Sequence, residues 1–188
     1  MEKFSKLQKN ITKKEPNDEV LFDNEYIKVI KYEDWSILKE RDLVVGIIYF
    51  IEENKFLLRH EYIPTFKYVE GDEYYITVLS GGIDQDEEPK DAFFREIEEE
   101  AGIFIDGKYD LTELKPLFIN KGHTNKYYPF ILTLPNGTFI EKVPQGDGSS
   151  SEAKSRCIIL GVDQIDYIQT SDLITDYMLM KFKEYLNK

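Results

Sequence analysis

The sequence predicts a mixed α and β fold, with a small antiparallel lobe preceding a larger body of strands and two helices. Three observations lead there. Between residues 19 and 40 lie three short β-rich runs, VLF, YIKVIKY and WSILKE, parted by Asp23-Asn24 and Glu33-Asp34. From residue 43 onward, strand-length apolar runs recur between turn signals. Helical spacing is confined to residues 89–101 and to a stretch after Ser171-Asp172.

Residues 1–18 are polar, mixed in charge and end in Glu15-Pro16-Asn17-Asp18, which reads as an arm stopping at a turn. The β lobe is expected over 19–42 and the main domain over 43–188. LVVGIIYFI (43–51) and KFLLRHEYI (55–63) flank Glu52-Glu53-Asn54 as a hairpin, and the continuous apolar run of the first arm marks a central strand. EYYITVLS (73–80) is expected as one strand ended by Gly81-Gly82. The helix over 89–101 has Pro89 at its start and Gly102 just past its end. Further strands are expected at LKPLFI (114–119), YYPFILTL (127–134), TFIEKV and RCIILGV. The Gly- and Ser-rich stretch 143–153 reads as an exposed loop. Asp172 caps a last helix whose Leu173, Tyr177, Met180 and Phe182 are expected to share a face.

Composition narrows the function. The 188 residues carry 24 Lys plus Arg against 36 Asp plus Glu, a net charge of −12. A sequence-independent grip on DNA needs a basic stripe that this balance does not supply, so no DNA partner is expected. Cys157 is the only cysteine, so no internal disulfide can form, and it reads as a core thiol in a reducing compartment. No run approaches eighteen apolar residues and the first twenty lack an apolar signal core, so the expectation is a soluble cytoplasmic protein without membrane contact.

Residues 81–103, GGIDQDEEPKDAFFREIEEEAGI, hold nine acids against two bases, a local balance of −7 within the total of −12. At about 100° per residue, Glu96, Glu99 and Glu100 share one arc of the helix while Phe93, Ile97 and Ala101 form the adjacent inward face. Like charges at i,i+3 and i,i+4 each cost roughly 0.2–0.5 kcal/mol, and the negative end of the helix dipole adds to the repulsion. Hard divalent cations would offset it, since carboxylate oxygens bind Mg²⁺ while leaving sites for water and phosphate. The other reading is a solvated acidic face.

Gly81, Glu87, Arg95, Glu96, Ile97, Glu99, Glu100, Gly102 and Ile103 fit G-x5-E-x7-R-E-U-x-E-E-x-G-U without a gap, U being a bulky aliphatic residue. This resembles the signature of the Nudix hydrolases. The resemblance implies an α/β/α sandwich with a mixed sheet and hydrolysis of a nucleoside diphosphate linked to another group, with Mg²⁺ or Mn²⁺ as cofactor. It implies that Glu96, Glu99 and Glu100 hold metal, with Arg95 and Glu87 orienting them.

The β lobe, LLRHEYIP about twenty residues before the signature, and a late acidic loop before RCII resemble the sugar-nucleotide branch typified by ADP-ribose pyrophosphatase. That branch implies a homodimer built through the N-terminal lobe and a small nucleotide substrate, ADP-ribose or a relative. It implies that Ser80 offers its carbonyl to metal and that a late-loop acid, Glu152 or else Asp147, is a further ligand or general base. Arg59, Tyr62 and His123 are the expected substrate contacts, with Glu99, Glu100, Glu152 and Arg95 as catalytic residues. Triphosphates, dinucleoside polyphosphates and coenzyme A derivatives stay open as substrates, as does a nucleotide sensor without catalysis.

Overall fold

The structure is a computed structural model that describes residues 19–24, 27–144 and 152–188. The described residues divide into two compact units, one of residues up to Glu40 with Asn120–Thr124, and one of residues from Arg41 to Ile119 and from Asn125 on. In the first unit β1 (Glu19–Asp23), β2 (Lys28–Tyr32) and β3 (Trp35–Lys39) form the expected antiparallel meander. Asn120–Thr124 joins it by main-chain bonds, Leu38 N–H to the Gly122 carbonyl at 2.7 Å and Thr124 N–H to the Leu38 carbonyl at 3.0 Å.

The second unit is built on a mixed sheet ordered β12 (Arg156–Gly161), β5 (Lys55–Tyr62), β4 (Leu43–Phe50), β10 (Tyr127–Leu134) and β9 (Asp110–Glu113). The β4–β10 pair is parallel and the others are antiparallel. Strand side chains alternate between faces, and β4 buries both sets. Val44, Ile48 and Phe50 pack with Ala92, Phe93 and Ile97 of the helix Pro89–Ala101. Val45, Ile47 and Tyr49 pack with Met178, Leu179 and Phe182 of the helix Leu173–Leu186. A helix on each face of a mixed sheet is the expected sandwich.

Four local expectations need correction. EYYITVLS breaks at Val78 into β6 (Tyr74–Thr77), paired with β5, and β7 (Leu79–Gly82), paired with β4. The Val78 N–H leaves the ladder and donates to Thr175 Oγ1 at 3.0 Å. LKPLFI is irregular apart from a bridge between Leu117 and Tyr127, because Pro116 has no N–H to give, and the strand lies earlier, at β9. A seven-residue helix, α1 (Pro64–Glu70), follows β5. It starts on Pro64, ends on Gly71 at φ 81° and buries no residue, so it has no apolar stripe to betray it. The helix Pro89–Ala101 is therefore α2 and Leu173–Leu186 is α3. Asp172 does cap α3, accepting from Thr175 N–H at 2.8 Å, but the buried face is Ile174, Thr175, Met178, Leu179 and Phe182. Leu173 and Met180 are exposed.

The two-stranded sheet of β8 (Ile103–Ile105) and β11 (Phe139–Glu141) takes the chain out of α2. Among the described residues no helix is long and apolar enough to cross a membrane.

Gly46 in mid-β4 is a point of close approach to α2. A Cβ there would lie 2.3 Å from the Phe93 ring, which is itself stacked on Phe130 with centroids 4.9 Å apart. Gly46→Ala should destabilise the protein by about 1–3 kcal/mol, read by urea denaturation, because neither ring has room to retreat.

Candidate active site

The acidic segment forms where β7 meets α2. Pro89 occupies the first helical position, and Gly102, at φ 65°, ends the helix with its N–H on the Glu98 carbonyl at 3.1 Å. Burial of Phe93 and Ile97 fixes the rotation of α2, and that rotation carries Glu96 to the sheet, where it is 7% exposed. Gly81 makes room for it: an added Cβ would sit 1.8 Å from the Glu96 carboxyl carbon. The glycine that opens the signature therefore serves close approach within β7, where the sequence suggested the end of a strand.

Arg95 organises the carboxylates. Its Nε and Nη2 donate to the two oxygens of Glu87, each at 3.0 Å, and Nη2 also reaches the Gly82 carbonyl at 2.8 Å. Nη1 donates to Glu96 at 2.7 Å and to Glu99 at 3.0 Å. One planar fork thus binds three acids and the carbonyl that ends β7, which a lysine could not do. Hydrogen bonding to Glu87, then Glu96 and Glu99, holds the Arg95 guanidinium charge well above its ordinary range. The same contact with Arg95, aided by the Asp84 N–H, holds Glu87 below the usual glutamate value.

Glu100 lies at one edge of the three-acid arc, against Arg59 of the sheet. Arg59 of β5 forms an ion pair with it, Nη1 lying 3.1 Å from Oε1, and the two side chains are 4% and 7% exposed. Arg59 is therefore no surface cation, a placement its polar neighbours in RHEYI did not signal. Cys157 lies opposite Arg59 in the β5–β12 register and approaches the Glu100 carbonyl at 3.6 Å. Desolvation pushes its thiol up to about 11, with Glu100 adding and Arg59 opposing, which suits the expected unreactive thiol.

The other candidates fall as follows. Ser80 sits in β7 opposite Val45, one residue before Gly81. Glu152 opens a short 3₁₀ turn leading toward β12, nothing further of its side chain being described, and Asp147 lies outside the described residues. Tyr62 ends β5, with Lys154 Nζ 4.2 Å above its ring and Tyr74 at its edge. His123 belongs to the first unit, where Nδ1 meets Glu40 at 2.6 Å. Glu98, the acid between Ile97 and Glu99, is exposed and pairs with Lys142 at 3.1 Å. Lys142, which the sequence did not single out, joins Arg95, Glu98, Glu99 and Val143 around an open cleft.

The donor set suits a hard divalent cation, being all carboxylate oxygen on one helix end. Among the described residues no three acidic, His or Cys side chains yet converge on one point, since Arg95 draws Glu96 and Glu99 together while Arg59 holds Glu100.

The Glu87–Arg95 contact gives a pH signature. Because pairing lowers the Glu87 pKa, it adds stability above the ordinary value near 4.5 and loses it as pH falls through the folded value. Glu87→Gln should be about 1–2 kcal/mol less stable than the parent protein at pH 7, with the gap closing below pH 4.5, in denaturation curves at both pH values.

Comparison with known proteins bears on the family and the fold. No curated protein matches the sequence. A crystal structure of an ADP compounds hydrolase has a TM-score of 0.61 to this chain, covering 94% of this chain and 97% of that one. The two are 18% identical, so the likeness is one of fold. The NUDIX domain family model matches residues 40–166, a span that contains the sandwich sheet, α2 and both arginine clamps. The chain belongs to the NUDIX domain family, the Nudix hydrolases.

Proposed function

We propose that the protein hydrolyses the pyrophosphate bond of a nucleoside diphosphate linked to another group, with ADP-ribose or a related sugar nucleotide as substrate. The observation that carries this is the set of Glu96, Glu99 and Glu100 on the end of α2, oriented by Arg95 and Arg59. Nudix enzymes generally use divalent metal ions. The fold likeness to an ADP compounds hydrolase supports the choice of an ADP derivative.

Glu96, Glu99 and Glu100 would hold Mg²⁺ or Mn²⁺, joined by the Ser80 carbonyl and Glu152. When bound, the cation neutralises diphosphate charge and acidifies water. Arg95 keeps Glu96 and Glu99 from turning away from each other, which sets the carboxylates before substrate arrives. Glu152 takes a proton from the water that attacks phosphorus. Tyr62 and His123 are the proposed substrate contacts outside the acidic cluster. Attack by water on the α-phosphorus breaks the P–O–P bridge and releases AMP and ribose 5-phosphate from ADP-ribose.

The proposed assembly is a homodimer through β1–β3. Val20, Leu21, Phe22 and Trp35 are each about half exposed there, an apolar surface that a second copy would cover. The proposed compartment is the cytoplasm.

With Mg²⁺ and a panel of nucleoside diphosphate compounds, ADP-ribose should give AMP and ribose 5-phosphate, and chelator should abolish the reaction. Preference for triphosphates would overturn the substrate assignment. Glu99→Gln should lower kcat about 100-fold or more with thermal stability little changed, because Glu99 is a third exposed while Glu100 is locked in a buried pair. For the assembly, Trp35→Glu should shift the sedimentation coefficient from dimer to monomer.

A further inference from the structure

The Arg59–Glu100 pair joins two elements that the sheet topology sets face to face. Arg59 lies in β5 between β12, where it opposes Cys157, and β6, where it opposes Thr77. With neighbours on both sides the strand cannot shift, and the guanidinium is buried with it. Glu100 lies in the last turn of α2, beyond the reach of the Arg95 contacts to Glu87, Glu96 and Glu99. It faces repulsion from two acids on its own helix and from the negative end of the helix dipole. Left to itself, such a carboxylate would swing outward to water. A buried cation on an immobile strand holds it inward.

We infer that Arg59 is a positioning residue for Glu100, fixing from the sheet side the one signature carboxylate that Arg95 does not hold, and thereby setting the affinity of the site for divalent cation. The two guanidiniums divide the work: Arg95 serves Glu96 and Glu99, and Arg59 serves Glu100. The contact is an ion pair closing at 3.1 Å between Nη1 and Oε1, so charge and reach carry it and a lysine can supply both. Partners of this kind alter metal affinity by about 10–100-fold when removed. This rests on the proposed role of Glu100 as a metal ligand.

The test is Mn²⁺ binding to the metal-free protein, followed by electron paramagnetic resonance well below the unfolding temperature, with no substrate present. Arg59→Met should weaken binding about tenfold or more, and Arg59→Lys should stay within about threefold of the parent protein. If Arg59→Met does not fold, Arg59→Gln carries the same expectation. Unchanged Mn²⁺ affinity in a folded Arg59→Met protein would make Arg59 merely structural and overturn the inference. Tighter binding would overturn it too, by showing that Arg59 competes with the cation. Glu99→Gln separates the two layers: if it leaves Mn²⁺ affinity intact, the metal site itself is wrong. If Glu99→Gln weakens binding while Arg59→Met does not, only the role of Arg59 falls.

Discussion

Crowding of like charge at the end of one helix is the constraint around which this fold is arranged. Glu96, Glu99 and Glu100 occupy one arc of α2 because Phe93 and Ile97 must be buried on the adjacent one. Their repulsion, sharpened by the helix dipole, has to be met from outside the helix or by Arg95 within it. Arg95 answers it by bending back over the turn to Glu87 and the Gly82 carbonyl, which ties the loop before the helix to the helix itself. Arg59 answers it from the sheet.

Those answers work only on a rigid support. Strand β4 supplies it by burying both faces, so that α2 and α3 are referenced to the same backbone. The parallel pairing of β4 with β10 and antiparallel pairing with β5 and β7 leave β4 no freedom to slide. Gly46 and Gly81 then set the distances at which α2 approaches, one against a ring and one against a carboxylate. Small residues at these two points let the helix lie close enough for a charged side chain to be buried usefully.

Much of this was legible in the sequence because it depends on local spacing. The helix bounds at Pro89 and Gly102, the three-acid arc and the exposed Glu98 all follow from a 3.6-residue period and from the conformations that proline and glycine favour. The central position of β4 follows from its unbroken apolar run. What could not be read depends on partners distant in the chain. Val78 interrupts a good strand pattern because Thr175, 97 residues away, takes its N–H. Arg59 is surrounded by polar letters, yet its burial follows from β12 pairing alongside it and Glu100 lying across it. On α3 the apolar residues are too evenly spread around the helix for the pattern to choose Met178 and Leu179 over Leu173 and Met180.

The hydroxyl of Thr175 is worth following further. It accepts from Val78 N–H at the gap between β6 and β7 and donates to Asp172 at 2.6 Å, while the Thr175 N–H bonds that same carboxylate. Thr170 adds a second tie, its hydroxyl donating to the Ile76 carbonyl at 3.0 Å. The discontinuity in the sheet and the first turn of α3 are therefore one joint, and neither can loosen alone. The amide protons of Val78 and Thr175, far apart in sequence, should exchange with solvent at a common rate, as members of a single opening unit. The last helix thus governs how readily the strand leading into the acidic cluster can part from its neighbours, although α3 lies on the opposite face of the sheet from α2.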